Sequence, residues 1–455
     1  MAALTDIQQR DVKYQLHPYT NAVKHKSIGP RIIDRGEGIY VYDDQGNKYL
    51  EAMAGLWSVA VGFGEPRLVE AATRQMQKLP FYHTFTHKSH GPSIALAEKL
   101  IGYTQGRMAN AFFTNSGSEA NDTVVKMVWY YNNALGRKEK KKIIARQKGY
   151  HGVTVASGSL TGLPANHRDF DLPLPRIKHT SCPHYYHGAK PGETEEDFAT
   201  RMANELEALI LQEGPETVAA FIGEPVMGAG GVIVPPKTYW EKIQAVCRKY
   251  DMLVIADEVI TGFGRLGTLF GSERFHIEPD IMVLSKQITS SYQPLSAVLI
   301  NQKVASVITS HSGELGTFGH GYTASGHPVA AAVALENLNI IEERNLVQNA
   351  AQSGAVLQEA LRAMADHPLI GEVRGVGLIA AVELVSDKAA RSPFDPVGKA
   401  AGAVYEKAHE HGLIVRAIGD SVAFCPPLII TPEQVCDAVS RFGRALDDVT
   451  RQLQA

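Results

Sequence analysis

The chain has 455 residues, 44% hydrophobic and 20% charged, a balance that excludes disorder, collagen-like repeats and a disulfide-stapled miniprotein. Lys and Arg number 45 against 48 Asp and Glu, a net charge of -3, which selects neither nucleic acid nor an anionic membrane surface. No apolar run approaches the roughly 20 residues of a membrane-spanning helix. The first residues carry no basic segment followed by an apolar one. Cys182, Cys247, Cys425 and Cys436 form no C-x-x-C pair, so the expectation is a cytoplasmic protein with reduced thiols.

Residues 1–60 read as a β-meander, with Gly38–Tyr42 and Lys48–Leu50 flanking the turn Asp43-Asp44-Gln45-Gly46-Asn47. From about residue 66 to about residue 300, amphipathic helices alternate with short apolar runs. One helix carries Phe198, Met202, Leu206, Leu209 and Ile210 on a single face. The runs are 111–113, 143–145, 218–222, 252–256 and 281–284. Such alternation predicts an α/β fold with a mostly parallel sheet covered on both faces. After Pro328 come a long helical run, strands over 371–384 and 412–416, and a terminal helix. The expected division is residues 1–60 and 326–455 in a small α+β domain, with 61–325 as the large domain.

Ligands of such sheets bind beyond the carboxyl ends of the strands. After the first run, Thr114-Asn115-Ser116-Gly117-Ser118 opens a helix, whose free N–H groups and positive dipole end suit a phosphate. After the second, Gly149-Tyr150-His151-Gly152 offers an aromatic face for a planar ligand. The run ending at Ala256 delivers Asp257 and Glu258 from apolar surroundings, so these carboxylates need a partner: a metal, an Arg or a protonated ring nitrogen. The run ending at Leu284 delivers Lys286, and no charged residue follows before Lys303. Weakly polar surroundings lower such an amine's pKa and make it nucleophilic. Phosphate turn, stacking face, buried acid and isolated lysine together are the four contacts pyridoxal phosphate requires.

At these residues the sequence resembles the class III aminotransferases, pyridoxal-phosphate enzymes of fold type I, and within them the ω-amino acid and amine:pyruvate transaminases. Asn115–Asn121, Gly223-Glu224-Pro225, Asp257-Glu258-Val259, Ser285-Lys286 and Thr323–Pro328 carry the resemblance over nearly the whole chain. It implies that Lys286 bonds the cofactor aldehyde and then shuttles a proton, while Asp257 keeps the pyridine nitrogen protonated. It further implies that Tyr150 and Val259 hold the two ring faces, that Ser116, Gly117 and Ser118 hold the phosphate, and that His151 and Glu224 adjoin the cofactor. Tyr322 and Thr323 are implied to reach the phosphate from a neighbouring subunit, in a homodimer or tetramer. Tyr19, Leu56, Trp57, Phe85, Tyr150, Ala229 and Ile260 are implied as substrate walls, with Phe85 from the partner. Arg416 is implied to grip the acceptor's carboxylate, which suits a guanidinium fork. The expected reaction moves an amino group from a primary amine or ω-amino acid to pyruvate. The alternatives are a 2-oxoglutarate acceptor, or a decarboxylase, racemase or mutase on the same fold.

The sequence departs from the class pattern at Gln287 and Ser290, where glycines are frequent, and at Leu266 and Thr261. Three further features are read as structural. Gly262–Gly267 matches G-x-G-x-x-G but does not open a helix, so no dinucleotide site is expected. The basic run Arg137–Lys148 lacks interleaved aromatics and reads as a solvated turn. His179, Cys182, His184 and His187 read as a surface loop, and no metal site is assigned.

Overall fold

The structure, a computed structural model, describes residues 4–454; residues 1–3 and 455, counted above with the terminal segments, lie outside it. Among the described residues fifteen strands form three sheets. β1 (Ile33–Glu37), β2 (Tyr40–Asp43) and β3 (Lys48–Glu51) make the expected meander. Asp43 Oδ1 accepts the Gln45 and Asn47 N–H groups at 3.1 and 2.8 Å, an Asx turn. The meander is shorter than expected. Two helices, Asp6–Tyr14 and Ala22–Ile28, precede it. Neither buries a residue, so hydrophobic patterning gave no sign of them. The readable signal is the capping box between Thr5 and Gln8.

The central sheet comprises β4 (Asn110–Thr114), β5 (Lys142–Arg146), β6 (Ile177–Thr180), β7 (Val218–Gly223), β8 (Leu253–Asp257), β9 (Ile281–Leu284) and β10 (Ser296–Ile300). Their order is β4-β10-β9-β8-β7-β5-β6. All run parallel except β10, which is antiparallel to β4 and β9. Neighbouring residues of one strand enter opposite cores. Ile143, Ile222 and Ile255 join one hydrophobic cluster with Val124 and Val128, whereas Ile144, Phe221 and Val254 join another with Phe198 and Trp240. That period-2 division is why the strands read as continuous apolar runs. The helix Glu195–Glu213 covers one face with Phe198, Met202, Leu206 and Ile210, started by a Thr194–Asp197 capping box.

β6 and β10 were not anticipated. β6 is a short edge strand whose Lys178 and His179 break the apolar run. The third sheet pairs β11 (Ile370–Val376), β12 (Ile379–Leu384), β14 (Arg416–Ile418) and β15 (Ser421–Phe424). The strand expected over 412–416 is two strands. β13 (Leu413–Ile414) pairs in parallel with β3, and β14 turns into the other sheet. Arg416 sits at that switch. Gly262–Gly267 is a loop, as expected, although a single helical turn, Gly271–Arg274, opens beyond it.

Candidate active site

The carboxyl ends of the parallel strands converge on a cavity of about 350 Å³. β4 leads to Ser116–Ser118, β5 to Tyr150–Gly152, β7 to Glu224, β8 to Asp257 and Val259, and β9 to Ser285 and Lys286, all of them lining it. Because β10 runs the other way, its start reaches the site, through Pro294 and Leu295.

Asp257 is the polar centre. Its Oδ2 accepts from His151 Nδ1 at 2.7 Å and Asn121 Nδ2 at 2.9 Å, and its Oδ1 accepts only the Val259 N–H at 3.1 Å. Burial pushes this carboxyl up, but the His151 hydrogen bond and charge, with Asn121 and the Val259 amide, outweigh it and hold the group below the usual carboxylate range. Asp257 is therefore ionised with acceptor capacity left on Oδ1. Glu258 points elsewhere. Its carboxylate accepts from Thr261, the Gly271 N–H and the Ser272 N–H and hydroxyl, so it organises the following loop.

Lys286 adopts φ +44, a left-handed conformation that a lysine enters only when its surroundings impose it. Burial lowers its pKa, against the charges of Asp257 and Glu224. It is the one lysine or arginine among those lining the cavity. Glu224 accepts from the Tyr150 N–H at 3.0 Å and the Gly228 N–H at 2.8 Å, which fixes the loop that presents Tyr150.

The helix Gly117–Ala134 begins at the cavity. The Ser116 hydroxyl caps it by accepting the Glu119 N–H at 3.1 Å, and Ser118 Oγ accepts the Val153 N–H at 3.1 Å. The helix-start N–H groups of Gly117 and Ser118 remain for an anion. Gly152, at φ +135, passes so close that a Cβ there would meet Ser118 Oγ at 2.6 Å.

Not every expected wall lines this cavity. Tyr150 and Ile260 do. Trp57 is buried in a cluster with Ile260, Leu266 and Val226. Ala229 is half-buried, and Leu56 and Tyr19 are exposed. The Tyr19 hydroxyl accepts from Asn166 Nδ2 at 2.6 Å. Arg416 lies near Tyr150, Tyr19 and Tyr405, whose charges partly offset the burial that lowers its pKa. Phe85 lines a different cleft, with Phe112 and Phe318. The Tyr322 hydroxyl donates to Glu119 O at 3.2 Å of its own chain, and Thr323 is exposed.

Asn121 was missed as a functional residue. Its signal was its position four residues beyond Gly117, on the same helix face. Two structural readings need correction. Arg146 and Lys140 of the basic run are buried, so the run is not a solvated turn: Arg146 donates to Glu224 O and stacks on Trp240, and Lys140 donates to Tyr250 O at 2.9 Å. Nor is the histidine loop free in solvent. His184 and His187 pair with Glu372 and Glu383, each at 3.0 Å.

The model of the family "Aminotransferase class-III" matches residues 20–446. The chain belongs to the class III aminotransferases. An ω-transaminase from Pseudomonas jessenii in complex with PMP is similar to it at 64% identity and a TM-score of 0.97, over 98% of this chain and 99% of that one. A thermostable six-fold mutant of the same organism's enzyme shows 63% identity and a TM-score of 0.98, over 99% and 100%. Mitochondrial gamma aminobutyrate transaminase 1 from Solanum lycopersicum is 54% identical over 96% of this chain and 85% of its own length. Class III aminotransferases use pyridoxal phosphate, and the cavity of this one suits it. Asp257 Oδ1 has a free lone pair, Asn121 Oδ1 and His151 Nε2 are buried without partners among the described residues, the helix-start N–H groups of Gly117 and Ser118 suit an anion, and a lysine amine stands at the wall.

Proposed function

We propose that this aminotransferase moves the amino group of a primary amine or ω-amino acid to pyruvate, releasing an aldehyde or ketone and then alanine. Arg416 is the observation that carries the reading. Apart from Asp257, Glu224, Lys286 and His151 the cavity lining has no acidic or basic side chain, and Arg416, outside that lining, lies near its Tyr150. One guanidinium matches a monocarboxylate; a dicarboxylate acceptor would ask for a second cation. The same fork suits the carboxylate of an ω-amino acid donor, in keeping with the names of the tomato and Pseudomonas relatives.

Pyridoxal phosphate supplies an aldehyde carbon that takes up the amine nitrogen and a ring that makes the adjacent C–H acidic. The chain does the rest. Gly117 and Ser118 hold the phosphate on their N–H groups. Asp257, kept ionised by His151 and Asn121, holds the proton on the ring nitrogen. Tyr150 and Val259 confine the ring. The Lys286 amine, its pKa lowered by burial, takes the substrate's proton and returns it one atom away. Ile260, which shares a cluster with Trp57, and Tyr19, Leu56 and Ala229 border the donor.

Phe85, Tyr322 and Thr323 serve the neighbouring subunit of a homodimer. This rests on their lying outside their own chain's cavity and on the exposed aromatics Phe81, Tyr82 and Phe85, a patch that calls for cover. We place the enzyme in the cytoplasm, in keeping with its four free thiols, although the plant relatives are named as mitochondrial or chloroplastic. No helix among the described residues is long and apolar enough to cross a membrane.

The test is Arg416→Ala. Losing a charge-assisted contact costs about 1.5–3 kcal/mol, so the KM for pyruvate should rise roughly 10- to 150-fold while conversion of a carboxylate-free amine holds. An unchanged pyruvate KM, or 2-oxoglutarate as the better acceptor, contradicts the reading.

A further inference from the structure

The helices Asp6–Tyr14 and Ala22–Ile28 bury no side chain, so this hairpin has no core to hold it. Their polar ties converge on one point. Asp11 comes from the first helix, His17 from the connection and His25 from the last turn of the second helix. Asp11 Oδ2 lies 2.9 Å from both His17 Nε2 and His25 Nε2. All three ligating atoms fall within 4.8 Å of one another, and the two rings are 4.2 Å apart between centroids.

We propose that Asp11, His17 and His25 bind a divalent transition-metal cation of the Zn²⁺ class. Two imidazole nitrogens and one carboxylate oxygen are the ligand types such ions select. Around a tetrahedral ion with bonds near 2.0–2.1 Å, ligand atoms sit about 3.3 Å apart. The two Asp11–histidine distances of 2.9 Å need only a small expansion. Binding uses the Nε2 lone pair of each ring. Each ring must be neutral, with its remaining proton on Nδ1, and a ring that starts cationic releases a proton to solvent. The side chains keep 25%, 14% and 11% exposure for His17, Asp11 and His25, which leaves an approach path and a position for water.

A second group, His184, His187 and Glu383, is equally close. There Arg374 Nη1 already donates to Glu383 at 2.7 Å and to Glu372 at 2.7 Å, so a guanidinium supplies the positive charge. The N-terminal group has no such occupant among the described residues. Its metal would tie the two helices together two residues from Tyr19, whose hydroxyl meets Asn166.

The experiment is titration of chelator-dialysed holoenzyme with Co²⁺ as a spectroscopic probe, followed by displacement with Zn²⁺. The expected result is one Co²⁺ per chain, with the visible ligand-field bands of a four-coordinate ion, and metal-dependent protection of residues 15–30 from proteolysis. His25→Gln and Asp11→Asn, which disturb no core, should each weaken binding by more than the roughly 10–100-fold that loss of an outer-shell partner costs. The double variant His184→Gln/His187→Gln should leave binding intact. Absence of stoichiometric Co²⁺, survival of binding in His25→Gln, or its loss in the His184/His187 pair would each overturn the proposal.

Discussion

At Asp257 two opposing forces act on one carboxyl. Burial alone would protonate it, and a protonated acid could not hold a second proton on a ring nitrogen. The His151 and Asn121 contacts reverse that balance. Asp257→Asn keeps the shape and removes the charge, so kcat should fall by roughly 10²–10³-fold, the scale of one preorganised electrostatic contact, with folding intact by circular dichroism. Glu51 shows the opposite balance. Burial, only partly countered by the Gly55 and Met53 N–H groups and the Arg265 charge, pushes its carboxyl up to about 7 from an ordinary 4.5. The folded state therefore binds more protons than the unfolded chain between those values. Glu51 contributes stability that is full below pH 4.5 and lost as pH rises through about 7. Glu51→Gln should abolish that loss, seen as a flatter dependence of denaturation midpoint on pH over this window. Glu51 also anchors the turn carrying Leu56 and Trp57, so the same variant should raise the KM for bulky amines.

The lysine-bearing loop explains two departures from the family pattern. Ser290 and Ser291 have φ of +50 and +60, the conformation glycine takes without strain. Ser290 offsets that strain with its hydroxyl, which accepts the Ala60 and Val61 N–H groups at 3.1 and 3.2 Å and donates to Asn337 at 2.6 Å. Ser290→Gly would relieve about 1–2 kcal/mol of left-handed strain. It would also orphan two buried donors at about 1–3 kcal/mol each. The loss wins, and the thermal midpoint should fall. Gln287 donates to Ile260 O and Gly262 O at 2.9 and 2.7 Å and accepts from Arg265, which stitches the Lys286 loop to the Asp257 loop. None of this was legible in the sequence, because partners 22 to 230 residues away leave no local pattern. Lys286 and Asp257 themselves were legible, since each ends an apolar run. Arg146 was misread for the converse reason: it stands between Lys142 and Lys148 in sequence, whereas its neighbours in space are Trp240 and a carbonyl.

Across the whole molecule, parallel strands send five loops to one edge, and the reversal of β10 adds a sixth segment there. Periodicity was enough to place that edge. It was silent on the N-terminal helices, which bury nothing in this chain, and on the division of residues 413–418 between two sheets, which decides where Arg416 stands. The exposed aromatics around Phe85 predict a dimer in sedimentation velocity at working concentrations; a monomer with full activity would contradict the assignment of Phe85, Tyr322 and Thr323 to a neighbour. The central claim is that Lys286 is the amine through which the reaction runs. The direct measurement follows the visible absorbance of the bound cofactor during single half-reactions. In the parent enzyme a primary amine should bleach the band and pyruvate should restore it, with alanine formed in equal amount. Lys286→Ala should show neither change at a comparable rate, and full turnover by that variant would contradict the account.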